Sequence, residues 1–194
     1  MRRVLLSVAL PFLLSVAAVA QEYPSVELFG GYSYFRPDGG GNFNGWNASV
    51  AGNANRWFGV VGDFSGHYAS ETILSIVGPG GSIEAGAKAN IYNLLFGPRF
   101  TYRANPRVSP FAHILFGVTR AHVEGRARVG TVTVTISESD SAFAGALGGG
   151  FDVRLAERVG LRVVQAEYVL TRREGQTGNH FRVSTGIVFR FGSR

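Results

Sequence analysis

Apolar and polar residues alternate with a period of two along residues 181–191, near the end of the chain. One face of this segment carries Phe181, Val183, Thr185, Ile187, Phe189 and Phe191, and the other carries Arg182, Ser184, Gly186, Val188 and Arg190. This period predicts a β-strand with a single apolar side. Eleven residues at about 3.3 Å each, tilted by about 45°, rise about 25 Å. The strand is therefore long enough to cross the apolar layer of a membrane.

Seven earlier segments show the same alternation. They are residues 25–35, 45–54, 57–68, 89–103, 108–123, 141–154 and 159–171. Their connections alternate between long (37–44, 70–88, 124–140, 172–180) and short (55–56, 104–107, 155–158). Four long loops on one side and three tight turns on the other predict an all-β, eight-stranded antiparallel up-and-down transmembrane β-barrel, with both termini on the turn side.

The segment 159–171 and the connection 124–140 depart from simple alternation between strand and loop. In residues 159–171, Arg162 shares a face with Gln165 and Glu167 only if the strand contains an extra residue, so we predict a β-bulge near Val163 and Val164. A charge facing lipid at mid-depth costs roughly 2–4 kcal/mol, which motivates that prediction. In the long connection 124–140, the sequence T-V-T-V-T-I keeps strand alternation, so strands five and six are candidates to continue as a hairpin beyond the membrane.

Alternation alone does not decide whether the apolar faces meet lipid or a protein interior. A secreted lipocalin-like barrel alternates too, with its apolar side inward. Here the polar faces are mostly Gly, Ala, Ser and Asn, which suit the crowded inside of a narrow cylinder. Tyr34, Trp46, Tyr68, Tyr92 and Tyr102 near strand ends are typical of the aromatic girdles at a membrane interface. The polar faces therefore favour the transmembrane reading.

The last eight residues of the final strand, S-T-G-I-V-F-R-F (184–191), resemble the C-terminal assembly signal of bacterial outer-membrane barrels. Ser184, Gly186, Phe189 and Phe191 are the residues that match it, although Gly192, Ser193 and Arg194 follow where many relatives end on the aromatic residue. The chain as a whole is similar to the OmpA-type eight-stranded barrels over residues 22–191. The resemblance implies a place in the bacterial outer membrane, contact with its lipid, and insertion by the barrel-assembly machinery.

The first 20 residues have the pattern of a secretory signal peptide. Arg2 and Arg3 precede an apolar run, and Ala18-Val19-Ala20 forms a cleavage site. A membrane-spanning helix is the alternative, but Pro11 and two serines interrupt the run. We expect cleavage after Ala20, so that residues 21–194 form the barrel domain and the net charge falls from +6 to +4. The absence of cysteine excludes a disulfide framework.

Eight charged residues fall on the predicted inner face. They are Glu27, Asp63, Arg99, Asp152, Arg162, Glu167, Arg182 and Arg190, and His67 and His113 join them. Four arginines balance four carboxylates, as a water-poor interior requires. We interpret them as an ion-pair network that plugs the barrel and fixes its structure, because eight strands leave a lumen that side chains can fill. The alternative is a narrow porin-like pore for ions or small solutes.

Other functions have weaker support from the residues. Lipid A-modifying enzymes are small outer-membrane barrels too, and two groups of polar residues lie near loop ends (His180, Ser184 and Glu174; His67 and Ser65), but neither matches a hydrolase motif, so we expect no enzyme activity. No cofactor or metal site is indicated, because the four histidines are isolated. The arginines are not interleaved with aromatic residues as in nucleic-acid-binding proteins. Residues 131–136 could add to a partner's strand as an adhesin does, although a hairpin that only stiffens the loop is the favoured interpretation. The long loops are where a possible extracellular partner is expected.

Overall fold

Eight antiparallel strands surround one axis in the computed structural model, which describes residues 23–78, 81–129, 131–173 and 175–193. The strands are β1 (Pro24–Arg36), β2 (Phe43–Asn53), β3 (Phe58–Gly78), β4 (Gly81–Thr101), β5 (Val108–Val129), β6 (Val132–Arg154), β7 (Val159–Arg173) and β8 (Gln176–Ser193). Each strand pairs with its sequence neighbours, and β1 pairs with β8 to close the ring. The predicted fold class is confirmed. The described residues contain no helix that is long and apolar enough to span a membrane.

The apolar faces of the strands point away from the axis. Phe96, Phe181 and Phe189 are 64%, 46% and 47% exposed, whereas Arg99 and Arg182 are 2% and 0% exposed. A soluble barrel would show the reverse arrangement, because its apolar residues would fill the interior. The lipocalin-like alternative is therefore excluded.

Aromatic side chains gather near both ends of this outer apolar surface. On the loop side, Trp46 donates a hydrogen bond to the Tyr68 hydroxyl (3.3 Å), and the rings of Tyr68 and Tyr92 meet edge to face at 6.0 Å. On the turn side, Trp57 stacks on Phe100 at 5.9 Å beside the exposed Tyr102. Rings with an apolar body and a polar edge suit the boundary between hydrocarbon and water.

Four phenylalanines depart from the general rule and face the lumen. Phe29, Phe35, Phe43 and Phe111 are all buried. Phe35 and Phe43 close the loop end of the interior, where they join an apolar cluster that includes Leu95, Leu115 and Val169. The lumen thus has an apolar layer toward the loops, and its charged layers lie below it.

The predicted loops at 172–180 and 70–88 were wrong. β7 and β8 remain paired as far as Arg173 and Gln176, and β3 and β4 continue through most of 70–88. Pairing between these strands runs to Gly78 and Gly81, with a register shift between Thr72 and Leu74. The predicted continuation of strands five and six is confirmed, since Val129 pairs with Val132 at their tip. Residues 69–78, 81–89, 123–129 and 132–142 therefore form a four-stranded sheet beyond the barrel, which we call the extension.

The predicted bulge in β7 is confirmed. Phe151 pairs with Val164 and Asp152 pairs with Arg162, so Val163 is the extra residue on β7. The pairing of β7 with β8 shifts at the same place, between Arg162 and Gln165. As a result Arg162, Gln165 and Glu167 are all buried inside the barrel. The predicted signal peptide and its cleavage site lie outside the described residues.

Deletion of Val163 should prevent the barrel from folding. Without the extra residue, either Arg162 or both Gln165 and Glu167 would turn toward lipid, and each misplaced charge costs a few kcal/mol. Folding can be measured as the heat-modifiable mobility of the purified protein in detergent gels. Deletion of Gly39, in the exposed β1–β2 loop, serves as the control and should leave the folded band intact. A folded band of normal intensity for the Val163 deletion would contradict this account.

Candidate functional site: the charged lumen

The lower charged layer, near the turns, is centred on Glu27 of β1. Its carboxylate lies 3.1 Å from Arg99 Nη1, 3.2 Å from Arg103 Nη2 and 3.5 Å from Arg190 Nε. Asp152 forms the second centre and accepts hydrogen bonds from Arg162 Nε (2.8 Å) and Arg99 Nη2 (3.4 Å). Because Arg99 contacts both carboxylates, β1, β4 and β6 are tied together across the lumen although they are not neighbours in the ring.

Two inward phenylalanines fill the space around these guanidinium groups. Arg162 lies over the rings of Phe29 and Phe111, at 4.3 and 4.4 Å from their centroids, and Arg99 lies 4.2 Å from the centroid of Phe111. A guanidinium is attracted to an aromatic face, and this attraction strengthens when water is absent. Phe29 and Phe111 therefore supply both packing and electrostatic stabilisation to the arginines.

The upper charged layer is organised by Arg182 of β8. Its guanidinium contacts Glu167 Oε2 at 2.7 Å on the adjacent β7 and Asp63 Oδ1 at 2.8 Å on the distant β3. Nη1 donates a third contact to Ser65 Oγ at 2.7 Å. Asn47 donates to Asp63 Oδ2 at 2.7 Å, and His113 Nε2 lies 3.0 Å from Glu167 Oε1. Arg182 thus joins β3, β7 and β8, and its side chain is fully enclosed.

All eight charged residues assigned to the inner face by sequence parity are buried, and each contacts at least one other. The structure separates them into the lower layer (Glu27, Arg99, Asp152, Arg162, Arg190) and the upper layer (Asp63, Glu167, Arg182). Sequence reasoning missed Arg103, which bonds both Glu27 and the carbonyl of Arg56. Arg103 has the same parity as Arg99 and Thr101 and so continues the inner face of the strand, which was the signal that could have revealed it.

Neutral polar side chains complete the hydrogen bonding, and sequence reasoning missed them too. Gln165 accepts a hydrogen bond from Arg162 at 2.6 Å. Asn93 donates to Ser65 at 3.1 Å and accepts from Thr119 at 2.6 Å. A buried charge that keeps several hydrogen bonds avoids much of its desolvation cost, so these neutral residues belong to the site.

The histidine and serine groups considered for catalysis take different partners from those expected. His67 Nε2 lies 2.8 Å from Ser33 Oγ rather than beside Ser65, and Ser184 donates to the same Ser33 oxygen at 2.9 Å. All three side chains are buried inside the barrel. At the loop rim, His180 Nε2 lies 2.8 Å from Thr171 Oγ1, and Glu174 lies outside the described residues. The buried group of Ser33, His67 and Ser184 therefore links strands inside the barrel, where a nucleophile would have no access to substrate.

The residues of the candidate assembly signal lie on the strand that closes the ring. Phe189 and Phe191 are exposed on the outer surface, whereas Ser184 is buried in the lumen. Gly186 pairs directly with Gly31 of β1, and a Cβ on either residue would overlap the backbone of the other strand. Two glycines thus allow close contact where the first and last strands meet.

Within the described residues, no three His, Cys, Asp or Glu side chains are arranged to hold a metal ion. The acidic groups of both layers are instead occupied by arginine. The candidate site is therefore a set of salt-bridged layers buried inside the lumen.

A closed ring of strands with an apolar outside and charges sealed inside defines a transmembrane β-barrel. The sequence profile of the outer membrane protein beta-barrel domain family matches residues 6–191. The chain belongs to this family and is a protein of the bacterial outer membrane. In such barrels the short turns face the periplasm and the longer loops face the outside, so the extension is on the cell surface.

Solved structures with the same fold include two bacterial outer-membrane proteins. The attachment invasion locus protein Ail of Yersinia pestis, in complex with the heparin analogue sucrose octasulfate, is 20% identical with a TM-score of 0.50, over 87% of this chain and 99% of that one. OprG from Pseudomonas aeruginosa is 13% identical with a TM-score of 0.50, over 88% of this chain and 97% of that one. No curated protein sequence is significantly similar to this chain. At these identities the likeness concerns the fold.

Substitution of Glu167 by alanine should strongly destabilise the barrel. The change removes two hydrogen bonds from Arg182 and leaves that buried guanidinium with only part of its compensating charge. Breaking a buried ion pair from one side typically costs about 3–5 kcal/mol. The free energy of unfolding can be measured by urea titration in lipid vesicles, with the fluorescence of Trp46 and Trp57 as the signal.

The matched control is Glu157→Ala, which removes an exposed carboxylate from the β6–β7 turn. A surface charge of this kind contributes at most about 1 kcal/mol. Equal losses of stability in the two variants would contradict the role given to the upper layer.

Proposed function

We propose that this protein is a closed, non-catalytic barrel that is anchored in the outer membrane and presents the extension for contacts at the cell surface. The observation that carries this proposal is the position of Arg182, which bridges carboxylates on β3 and β7 with no exposed side-chain surface. A structural and surface-interaction role follows, because a lumen filled with paired charges leaves little space for solutes. The extension is also the largest element outside the membrane in the part of the chain that the structure describes.

The two charged layers make conduction unfavourable for a physical reason. An ion that moves along the axis would have to separate Arg99 from Glu27 and Arg182 from Asp63, and then pass the apolar layer at Phe35 and Phe43. Opening even one of these pairs leaves two charges with poor solvation in a narrow space. An eight-stranded barrel is just wide enough for its side chains to fill it, so there is little room for a bypass.

The proposed partners follow from the two surfaces of the barrel. The outer apolar face, bounded by aromatic residues, suits outer-membrane lipid. β8 suits the barrel-assembly machinery, because its exposed Phe189 and Phe191 and its small Gly186 are the features that the assembly signal requires. The extension suits an extracellular partner, and we propose no nucleic-acid partner.

Single-channel recordings in planar bilayers test the closed lumen. We expect no reproducible conductance steps for the natural protein, because the salt-bridged layers block the axis. Reproducible large steps would overturn the proposal and favour the narrow pore for ions or small solutes.

A triple variant, Asp63→Ala, Glu167→Ala and Arg182→Ala, provides the matched comparison. It removes all three charges of the upper layer together, so neither a carboxylate nor the guanidinium of that layer is left without its counter-charge, and it opens space in the lumen. Asn47, Ser65 and His113 each lose one polar partner. The lower layer is unchanged in this variant, so its conductance would show how much the upper layer contributes to closing the path. We expect higher leakage than in the natural protein, and heat-modifiable mobility verifies that the variant is folded.

The absence of enzyme activity is part of the proposal. The buried Ser33, His67 and Ser184 group is enclosed by the barrel, and His180 is engaged by Thr171. An assay of acyl-chain release or transfer with lipid A and purified protein tests this part. Turnover that is lost in His180→Ala would contradict it.

A further inference from the structure

The extension has a free edge along β6. Residues 132–142 of β6 pair with β5 on one side, but pairing with β7 begins only at Phe143 and Arg172. Along this edge, every second residue therefore has backbone donor and acceptor groups without a strand partner. Such an edge is a template for another strand.

The β6 edge lacks the features that normally protect an exposed strand. Residues 131–137, T-V-T-V-T-I-S, contain no charge, no proline and no glycine. The opposite edge of the extension, on β3, is interrupted by the register shift between Thr72 and Leu74. Bulges, prolines and charged residues discourage pairing between edges. Glu138 and Asp140 put charges on the part of the β6 edge near the barrel, so the regular and uncharged part is residues 131–137.

The side chains along this edge are sorted onto two faces. Val132, Val134 and Ile136 are 64%, 55% and 72% exposed and lie on the face that continues the lumen side of β6. Thr133 and Thr135 lie on the other face, beside Arg128 and Arg126 of β5. Exposed apolar residues in a row are typical of an interaction surface.

The sequence of the edge is complementary to itself in the antiparallel direction. If two copies pair with Val134 opposite Val134, then Val132 lies opposite Ile136 and Thr133 lies opposite Thr135. Thr131 then lies opposite Ser137. Every pair therefore joins two aliphatic residues or two hydroxyl-bearing residues, and no two charged residues lie opposite each other. Directly opposite apolar pairs and threonine pairs both stabilise antiparallel strands. We infer that the β6 edge binds the same edge of a second copy of this chain.

The direction of the strands determines where the second copy lies. β6 runs from its tip at Val132 toward the periplasmic turn at Arg154. In an antiparallel pair the second β6 runs the opposite way, so the two barrels lie at opposite ends of the joined sheet. Two barrels in one membrane point the same way and cannot form this pair. The contact therefore joins two facing membranes, and the protein acts in adhesion between like cells.

A contact of about seven residues on each copy is small compared with a stable dimer interface. It suits adhesion because many copies on each membrane act together, and the combined binding greatly exceeds that of one pair. This inference rests on the proposed surface-interaction role and specifies its partner.

Aggregation of lipid vesicles tests the inference. Vesicles that carry the full barrel should aggregate with each other and should not aggregate with protein-free vesicles, as measured by turbidity and by energy transfer between two dye-labelled populations. The Val134→Lys variant should reduce aggregation to the level of protein-free vesicles, because the pairing would place two like charges directly opposite each other.

The matched control is Ala127→Lys, which adds the same charge to the same face one strand away from the edge. Ala127 pairs with Val134 across β5 and β6 and is exposed. If the two copies pair edge to edge, aggregation should persist in this variant. If instead the apolar faces of the two sheets packed on each other, the new charge would abolish aggregation. Loss of aggregation in both variants would overturn the edge geometry. Both substitutions lie outside the barrel, and heat-modifiable mobility verifies that each variant is folded.

A cysteine variant tests the register directly, since the natural chain contains no cysteine. In Val134→Cys, the two residues face each other with Cα atoms about 4.5–5.5 Å apart, which is within the range of a disulfide. In Thr135→Cys, the two residues are diagonal at about 7–8 Å, which is beyond that range. Mild oxidation of a mixture of vesicles that carry differently tagged proteins should link the tags in the first variant and not in the second.

Three results would overturn the inference. They are the absence of aggregation for the natural protein, equal aggregation with protein-free vesicles, and aggregation that Val134→Lys leaves unchanged. A disulfide between differently tagged copies reconstituted in one membrane, without aggregation, would assign the edge to a dimer within a membrane instead. None of these results depends on lumen conductance, so failure of the adhesive contact is distinguishable from failure of the closed-barrel proposal.

Discussion

The structure depends on one constraint: in hydrocarbon, every backbone N–H and C=O group must find a partner within the protein. A sheet satisfies this condition only if its first and last strands meet, and here β1 and β8 pair along twelve residue positions. Closing eight strands leaves a narrow lumen, which side chains must fill. Small residues such as Gly31 and Gly186 are then needed where strands approach closely, and the charges that enter the lumen must neutralise each other. The salt-bridged layers thus follow from closure.

Much of the fold could be predicted because the barrel has the simplest possible relation between sequence and structure. Each residue points in or out according to its parity, and lipid outside selects apolar residues strongly. The same logic located the bulge at Val163, since only an extra residue brings Arg162 and Glu167 to one side. The prediction failed at 70–88, which was assigned to a loop, because the irregularity between Thr72 and Leu74 reverses the parity in mid-strand. Beyond the membrane, lipid no longer enforces the pattern, so strand ends are poorly marked.

The membership of the lumen could be predicted, but the pairing within it could not. Parity identifies Arg182 as inward, yet nothing in the sequence indicates that its partners are Asp63, Ser65 and Glu167 rather than the carboxylates of the lower layer. Those choices depend on strand tilt and stagger, which set the height of each side chain along the axis. The inward phenylalanines show a related limit. By composition alone Phe29 and Phe111 look like lipid-facing residues. Their parity, shared with Glu27 and His113, places them inside, and their contacts with guanidinium groups explain what an aromatic ring does there.

The sequence separation of the lumen contacts has a consequence for how the chain is built. Arg182 and Ser65 are 117 positions apart, and the arginine belongs to the last strand. Until that strand docks, Asp63 and Glu167 are acids without their cation, and no earlier arginine in the upper layer can replace it. A barrel that lacks its last strand therefore has two lumen carboxylates without their cation. The ring closes and the charges of the upper layer are neutralised in the same step. This coupling favours a final step that is all or none: either the barrel is completed, or the incomplete chain remains accessible to the chaperones and proteases that act on unfolded outer-membrane proteins.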